Sequence, residues 1–179
     1  MTVSHEDAAA ALREIERAQA YSANLADYES AAPHFLIWGV LWAVAYTLND
    51  IFPMFGGSIW AVVTPIGIIA GLLAMRGGRN GIAWRYGAAM GAVFAFFTAA
   101  GVILWPVSGR QVAAFIPLFV ALAYVLKGIW SGLRYVVTGI AVAALTLVGF
   151  FLVKDHFFLW MAGVGGGSLI LAGVWFRQV

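Results

Sequence analysis

Between Arg134 and Lys154 the chain reads YVVTGIAVAALTLVGFFLV, residues 135–153, nineteen positions without a charge. A helix rising about 1.5 Å per residue needs roughly 20 such residues to cross about 30 Å of hydrocarbon. The stretch is long enough to span a bilayer and too apolar to be the surface helix of a water-soluble domain. The same reading extends outward in both directions. Uncharged windows of 20 residues separate Glu29 from Asp50, 25 separate Asp50 from Arg76, and 24 separate Arg85 from Arg110. A further 16 lie between Arg110 and Lys127, and 21 between Asp155 and Arg177. Six spans follow, at about 35–52, 58–75, 84–105, 111–129, 133–153 and 157–176. The fourth window is the shortest, and Arg110 and Lys127 can snorkel from its two ends.

Composition agrees. Of 179 residues 63% are hydrophobic and 10% charged, where soluble domains carry about 25% charge. A chain of this length folded in water would leave roughly 30% of its extended surface exposed, with too few polar side chains to cover it. The balance excludes a disordered chain. A net charge of +2 is too small to track phosphates, which excludes a nucleic-acid binder. The absence of cysteine removes disulfides, thiolate nucleophiles and Cys-ligated metals. The expected fold class is therefore all-α: a polytopic membrane protein with six transmembrane helices arranged as three hairpins. Residues 33–179 form that bundle, and residues 1–32 form a cytosolic acidic amphipathic helix.

The joints carry helix breakers: Pro53 with Gly56-Gly57, Gly77-Gly78 with Asn80-Gly81, and Pro106 with Gly109. Trp84, Trp105, Trp130, Trp160 and Trp175 fall near span ends, where indoles favour the headgroup region. With the N-terminus inside, eight Lys and Arg lie on the inner side and only Arg110 and Lys154 outside. The positive-inside rule then puts both termini in the cytoplasm. The start of the chain, polar and acidic to Ser30, does not read as a secretory signal, so the spans are expected to direct insertion.

Arg76, Lys127 and Arg177 recur at intervals of 51 and 50 residues, each closing a hairpin. Pro65, Pro117 and Gly166 precede them by ten or eleven residues. Two accounts fit: a triplicated hairpin, or the spacing that any two spans and two loops occupy. The three positions are candidate helix breaks of the kind that mark transporter binding sites. Gly67-xxx-Gly71, Gly87-xxx-Gly91 and Gly163-xxx-Gly167 are candidate close-packing faces, expected to act within the chain.

Residues 4–30 differ from the rest. Ser4 and Asp7 open a helix with a capping-box-like start. Ala8, Leu12, Ile15, Ala18, Ser22, Leu25 and Tyr28 then form a narrow apolar stripe, and Pro33 is expected to end this helix or bend it into the first span. Residues 1–32 hold six acidic and two basic side chains, a net charge of −4 against +6 for the remainder. A lipid-surface helix would be rich in Lys and Arg, so the stripe reads as protein-binding. Leu12, Ile15, Leu25 and Tyr28 are its candidate contact residues. The expected occupants are a second copy, a cytosolic protein, or the basic loops around Arg76, Arg79, Arg85 and Arg134.

His5, His34 and His156 lie too far apart along the chain, and too far across the bilayer, for a metal or haem site. No ionisable group is expected near mid-membrane. No cofactor is implied, and Gly165-Gly166-Gly167-Ser168 lacks the membrane-depth base that a protease nucleophile requires. Outside, Asp50, Arg110, Lys154, Asp155 and His156 form a candidate periplasmic polar cluster.

Tyr28-Glu29, then Pro33-His34-Phe35-Leu36-Ile37-Trp38-Gly39-Val40-Leu41-Trp42, follow the helix containing Ile15-Glu16. This run resembles small bacterial multi-pass inner-membrane proteins that open with a charged helix and a Leu/Ile-Trp-Gly-x-x-Trp first span. The likeness covers about the first 50 residues and implies a location but no activity. Two functions are compatible with the whole. One is a non-catalytic assembly or regulatory protein working through its N-terminal helix. The other is a transporter or channel for a small neutral or apolar solute.

Overall fold

The computed structural model describes residues 5–74 and 80–178, with side chains for 9–74, 88, 89 and 91–178. Among the described residues seven α-helices carry the fold: α1 His5–Ile51, α2 Gly56–Ala74, α3 Asn80–Leu104, α4 Gly109–Ser131, α5 Leu133–Leu152, α6 Phe157–Trp160 and α7 Gly167–Arg177. A 3-10 turn, Pro53–Phe55, precedes α2, and a π-helical segment, Met161–Gly166, joins α6 to α7 without a break. No strand occurs among the described residues. The fold is all-α and polytopic. Among the described residues five helical stretches are long and apolar enough to cross a membrane: Ala9–Ile51, Pro53–Ala74, Gly109–Ser131, Leu133–Leu152 and Phe157–Arg177. The remaining expected span, 84–105, coincides with α3, whose described apolar part is Gly91–Leu104.

The central element is α1. Its 47 residues make a rod about 70 Å long. Pro33 lies inside it rather than at its end. A proline there removes one N–H and leaves the Glu29 carbonyl without its helical donor. That loss falls where Glu29 and Ser30 are exposed, and water can replace the donor. Ala32 and Phe35, both fully buried, fix the chain on either side. The expected boundary between residues 32 and 33 is thus crossed by one continuous helix.

From Tyr28 onward α1 buries Tyr28, Ala32, Phe35, Trp42, Ala45, Tyr46 and Asn49, a stripe at three- and four-residue steps. Against this stripe lie the π segment and α7. A Cβ on Gly39 would meet the Gly166 carbonyl at 2.9 Å and Ile170 Cγ1 at 2.7 Å, and one on Gly173 would meet Leu36. Backbones approach closely here because Gly39, Gly166 and Gly173 carry no side chain at the contact, the usual route to tight packing where lipid supplies no hydrophobic drive. On another side of α1, Gly67 of α2 receives the Trp38 ring and Leu41. The α4–α5 pair is closed by Gly128 against Val136 and by Gly139 against Val125 and the Ala121 carbonyl. The Tyr46 hydroxyl donates to the Ala113 carbonyl at 2.8 Å, tying α1 to α4.

The tightest partners are therefore α4 with α5 and α1 with α7, and not the hairpin of the third and fourth spans. No described residue of α3 is buried. That helix touches α4 through Phe96 and Phe97 against Phe115 and Phe119, with ring centroids 5.1–5.6 Å apart.

Candidate functional site

At one end of the bundle α4 and α5 are joined by a single residue, Gly132, with φ of +111°. Only glycine adopts that conformation without strain. So short a turn sets Lys127 of α4 beside Tyr135 of α5: the ammonium donates to the phenol oxygen at 2.8 Å. The base of the exposed N-terminal helix is held to this turn. Asp27 accepts from Lys127 Nζ, with carboxylate oxygens at 3.1 and 3.2 Å, and the Tyr135 hydroxyl reaches the Asp27 carbonyl at 3.5 Å. One residue on, the Tyr28 hydroxyl sits against Gly132 and accepts from the Arg134 backbone N–H at 3.4 Å.

Arg134 completes the arrangement. Its guanidinium lies 5.1 Å from the Tyr28 ring centroid and 5.2 Å from that of Trp175. It donates to the carbonyls of Trp175 at 2.7 Å and Gln178 at 3.2 Å, at the C-terminus of α7. Carbonyls at a helix C-terminus lack helical donors, and a cation there offsets the dipole. Below, Tyr28, Phe35, Tyr135 and Phe176 form an aromatic cluster with centroids 4.6–6.0 Å apart. The polar layer is half-exposed, with 42% of the Lys127 side chain and 34% of Asp27 accessible, so the ion pair contributes at most about 1 kcal/mol. The buried rings and the Arg134 contacts carry the rest of the clamp. A cavity of about 240 Å³ opens beside it, walled by Phe35, His34 and Pro33 of α1, Ala74 of α2, and Lys127 and Tyr124 of α4.

The expected site residues divide. Leu12 and Ile15 are 57% and 53% exposed, whereas Tyr28 is 6% exposed and Leu25 packs on the core. The lower half of the stripe is therefore spent within the chain and the upper half is open. Of the polar cluster at the opposite end, Arg110 and Lys154 meet: the guanidinium donates to the Lys154 carbonyl at 3.2 Å and lies 4.9 Å over Phe150. Asp155 and His156 are exposed beside them. Asp50 is half-buried near the end of α1, and among the described residues no hydrogen bond or ion pair joins it to that group.

Pro65 and Pro117 lie inside continuous helices, while Gly166 closes the π segment against Gly39 and Ala43. Of the Gly-xxx-Gly faces, Gly67 packs within the chain, but Gly91, Gly163 and Gly167 have nothing within 4 Å of an added Cβ. Arg76 and Arg79, with the side chain of Arg85 and the surroundings of Gly87, lie outside the described residues.

Sequence reasoning missed Asp27 and Lys127 as a pair; of the occupants expected for the stripe, the loop at Arg134 is the one that Tyr28 meets. The available signal was charge: an acidic tail on a basic bundle, with Arg134 among the expected contacts. Nothing in the sequence selects one partner from several lysines and arginines across a separation of 100 residues. The chain matches no protein family, no curated protein and no solved structure.

Proposed function

We propose that this is a non-catalytic membrane protein that assembles with or regulates a partner through the outer half of α1. The bacterial inner membrane is its site, with both termini cytoplasmic. The carrying observation is that α1 is one helix whose exposed part is rigidly based. Residues 10–23 are exposed, while Asp27 and Tyr28 are clamped to Lys127, Arg134 and Tyr135. An unsupported helix of that length is marginal in water, and its apolar stripe gains stability when another protein covers it. The stripe Leu12, Ile15, Ala18, Ser22, Leu25 continues the register of Tyr28, Ala32 and Phe35. A partner would accordingly rest on the shelf between the tail and the inner ends of α5 and α7.

Orientation is supported by the grouping of charge: Lys127, Arg134 and Arg177 share the tail's end, to which the tail adds Arg13 and Arg17, while only Arg110 and Lys154 meet at the other among the described residues. The resemblance of the first span to small bacterial inner-membrane proteins agrees with that placement.

Photo-crosslinking in cells tests the reading. A benzophenone amino acid at Leu12 or Ile15 is expected to give one discrete adduct, and the same group at Arg17 or Glu14 much less. Equal labelling from both faces, or no adduct from either, would overturn it. The mass of the adduct separates a second copy from a different protein.

A further inference from the structure

We propose that the partner met by the outer half of α1 is an amphipathic helix of a different protein, with Lys or Arg bordering its apolar stripe on both sides. This rests on the docking function proposed above and names the occupant. The order Arg13-Glu14-Ile15-Glu16-Arg17 lies on the exposed part of a continuous helix. Positions one away from Ile15 stand about 100° round the helix from it, positions two away about 160°, and positions three away about 60°. Leu12 and Ala18 therefore share the stripe with Ile15. Glu14 and Glu16 border it, one on each side, and Arg13 and Arg17 stand at its back. Acid is at the rim and base is behind it.

The chain itself does not use these carboxylates. Both are exposed, and among the described residues neither Glu14 nor Glu16 forms a hydrogen bond or ion pair. Arg13 turns to its own helix instead, its Nε donating to the Ala9 carbonyl at 3.2 Å. Nor do the spans reach the stripe. Ala74, where α2 ends, lies at the cavity beside Ser30 and Pro33, and Ile15 is about 22 Å further along α1 than Ser30. The two rims then choose among occupants. A second copy in the same membrane projects its tail in parallel, which sets Glu14 of one helix against Glu16 of the other, about 3 Å apart in height. Like charges would face each other along both borders. An anionic lipid surface meets the same repulsion, and a neutral helix leaves both rims unused. A stripe bordered by Lys or Arg pairs with both, and such rim charges act chiefly by selecting the partner and speeding its approach.

The test is photo-crosslinking in cells from a benzophenone amino acid at Leu12 of the full-length protein, with the attached peptide sequenced by mass spectrometry. That peptide is expected to come from another protein and to carry more Lys and Arg than Asp and Glu within four residues of the attachment point. Glu14→Lys with Glu16→Lys should cut the adduct at least about five-fold, while Arg13→Gln with Arg17→Gln should leave it within about two-fold. A second measurement needs no charge variant and so separates lost contact from a lost helix. Membranes holding the protein without charge substitutions are irradiated in 0.1 M and in 1 M salt, where the screening length falls from about 10 Å to about 3 Å. The adduct should fall at least about three-fold. An attached peptide from this same chain, one with acidic borders, or a yield that survives either the charge reversal or the salt would overturn the basic partner and leave docking by the stripe standing. No adduct from Leu12 in the protein without charge substitutions would overturn the docking function itself, and the basic partner with it.

Discussion

Gly132 is where a single atom matters most. Its φ of +111° belongs to glycine, and the Tyr28 hydroxyl fills the place of its missing Cβ. Gly132→Ala should cost about 1–3 kcal/mol from backbone strain alone, with the displaced Tyr28 adding to it. Tyr28→Ala, which empties a buried ring site beside Tyr135 and Phe176, should cost about 3–5 kcal/mol. Leu12→Ala, on the exposed part of the same stripe, should stay within about 0.5 kcal/mol. Unfolding of the purified protein in mild detergent, followed by tryptophan fluorescence, measures all three. Equal losses at Tyr28 and Leu12 would mean that the stripe is not divided at the clamp.

At the scale of elements, two predictions concern how helices meet. Gly166→Ala places a methyl 2.8 Å from the Gly39 carbonyl and 2.9 Å from the Ala43 nitrogen. Both are backbone atoms and cannot swing aside, so overpacking should cost about 1–3 kcal/mol. Gly163→Ala meets nothing and should be neutral or stabilising by up to about 1 kcal/mol, in the same unfolding assay. The second prediction concerns α1. With no native cysteine, spin labels on Gln19→Cys and Val40→Cys report one distance. A helix running through Pro33 gives about 32 Å between their backbones in a narrow distribution, and a helix ended at Pro33 gives a broad one.

These elements also show how much of the fold is legible in the sequence. Charges bracket the spans: 133–153 was expected where α5 is Leu133–Leu152, and 111–129 where α4 is Gly109–Ser131. Hydropathy is a property of the segment itself, so it survives folding. Packing is not. Gly163-xxx-Gly167 has the spacing of a contact face yet points away from the chain, and Gly166 and Gly173 make the contact with α1. Which side of a helix faces a neighbour depends on the neighbour. At Pro33 the first of the two expected outcomes, an ended helix, does not occur: that local preference is outweighed by the burial of Ala32 and Phe35 on either side, and α1 runs on into the first span.

Taken whole, the molecule is a bundle around α1, whose outer half projects from a braced base. The bundle is apolar outward, as lipid requires, with Val62, Ile66, Ile69 and Leu73 of α2 exposed along one face. The projecting segment has the opposite character, acidic and stripe-bearing, and it carries the assembly function proposed above. Deleting residues 1–23 removes the open stripe and leaves Asp27 and Tyr28 in the clamp. The bundle should then fold, and only the association should fail. Native mass spectrometry of protein gently extracted from its own membranes, full-length beside that deletion, tests this directly. The account predicts a second polypeptide or a defined oligomer with the full chain and a bare monomer with the deletion. A monomer in both preparations, or the same complex in both, would contradict it.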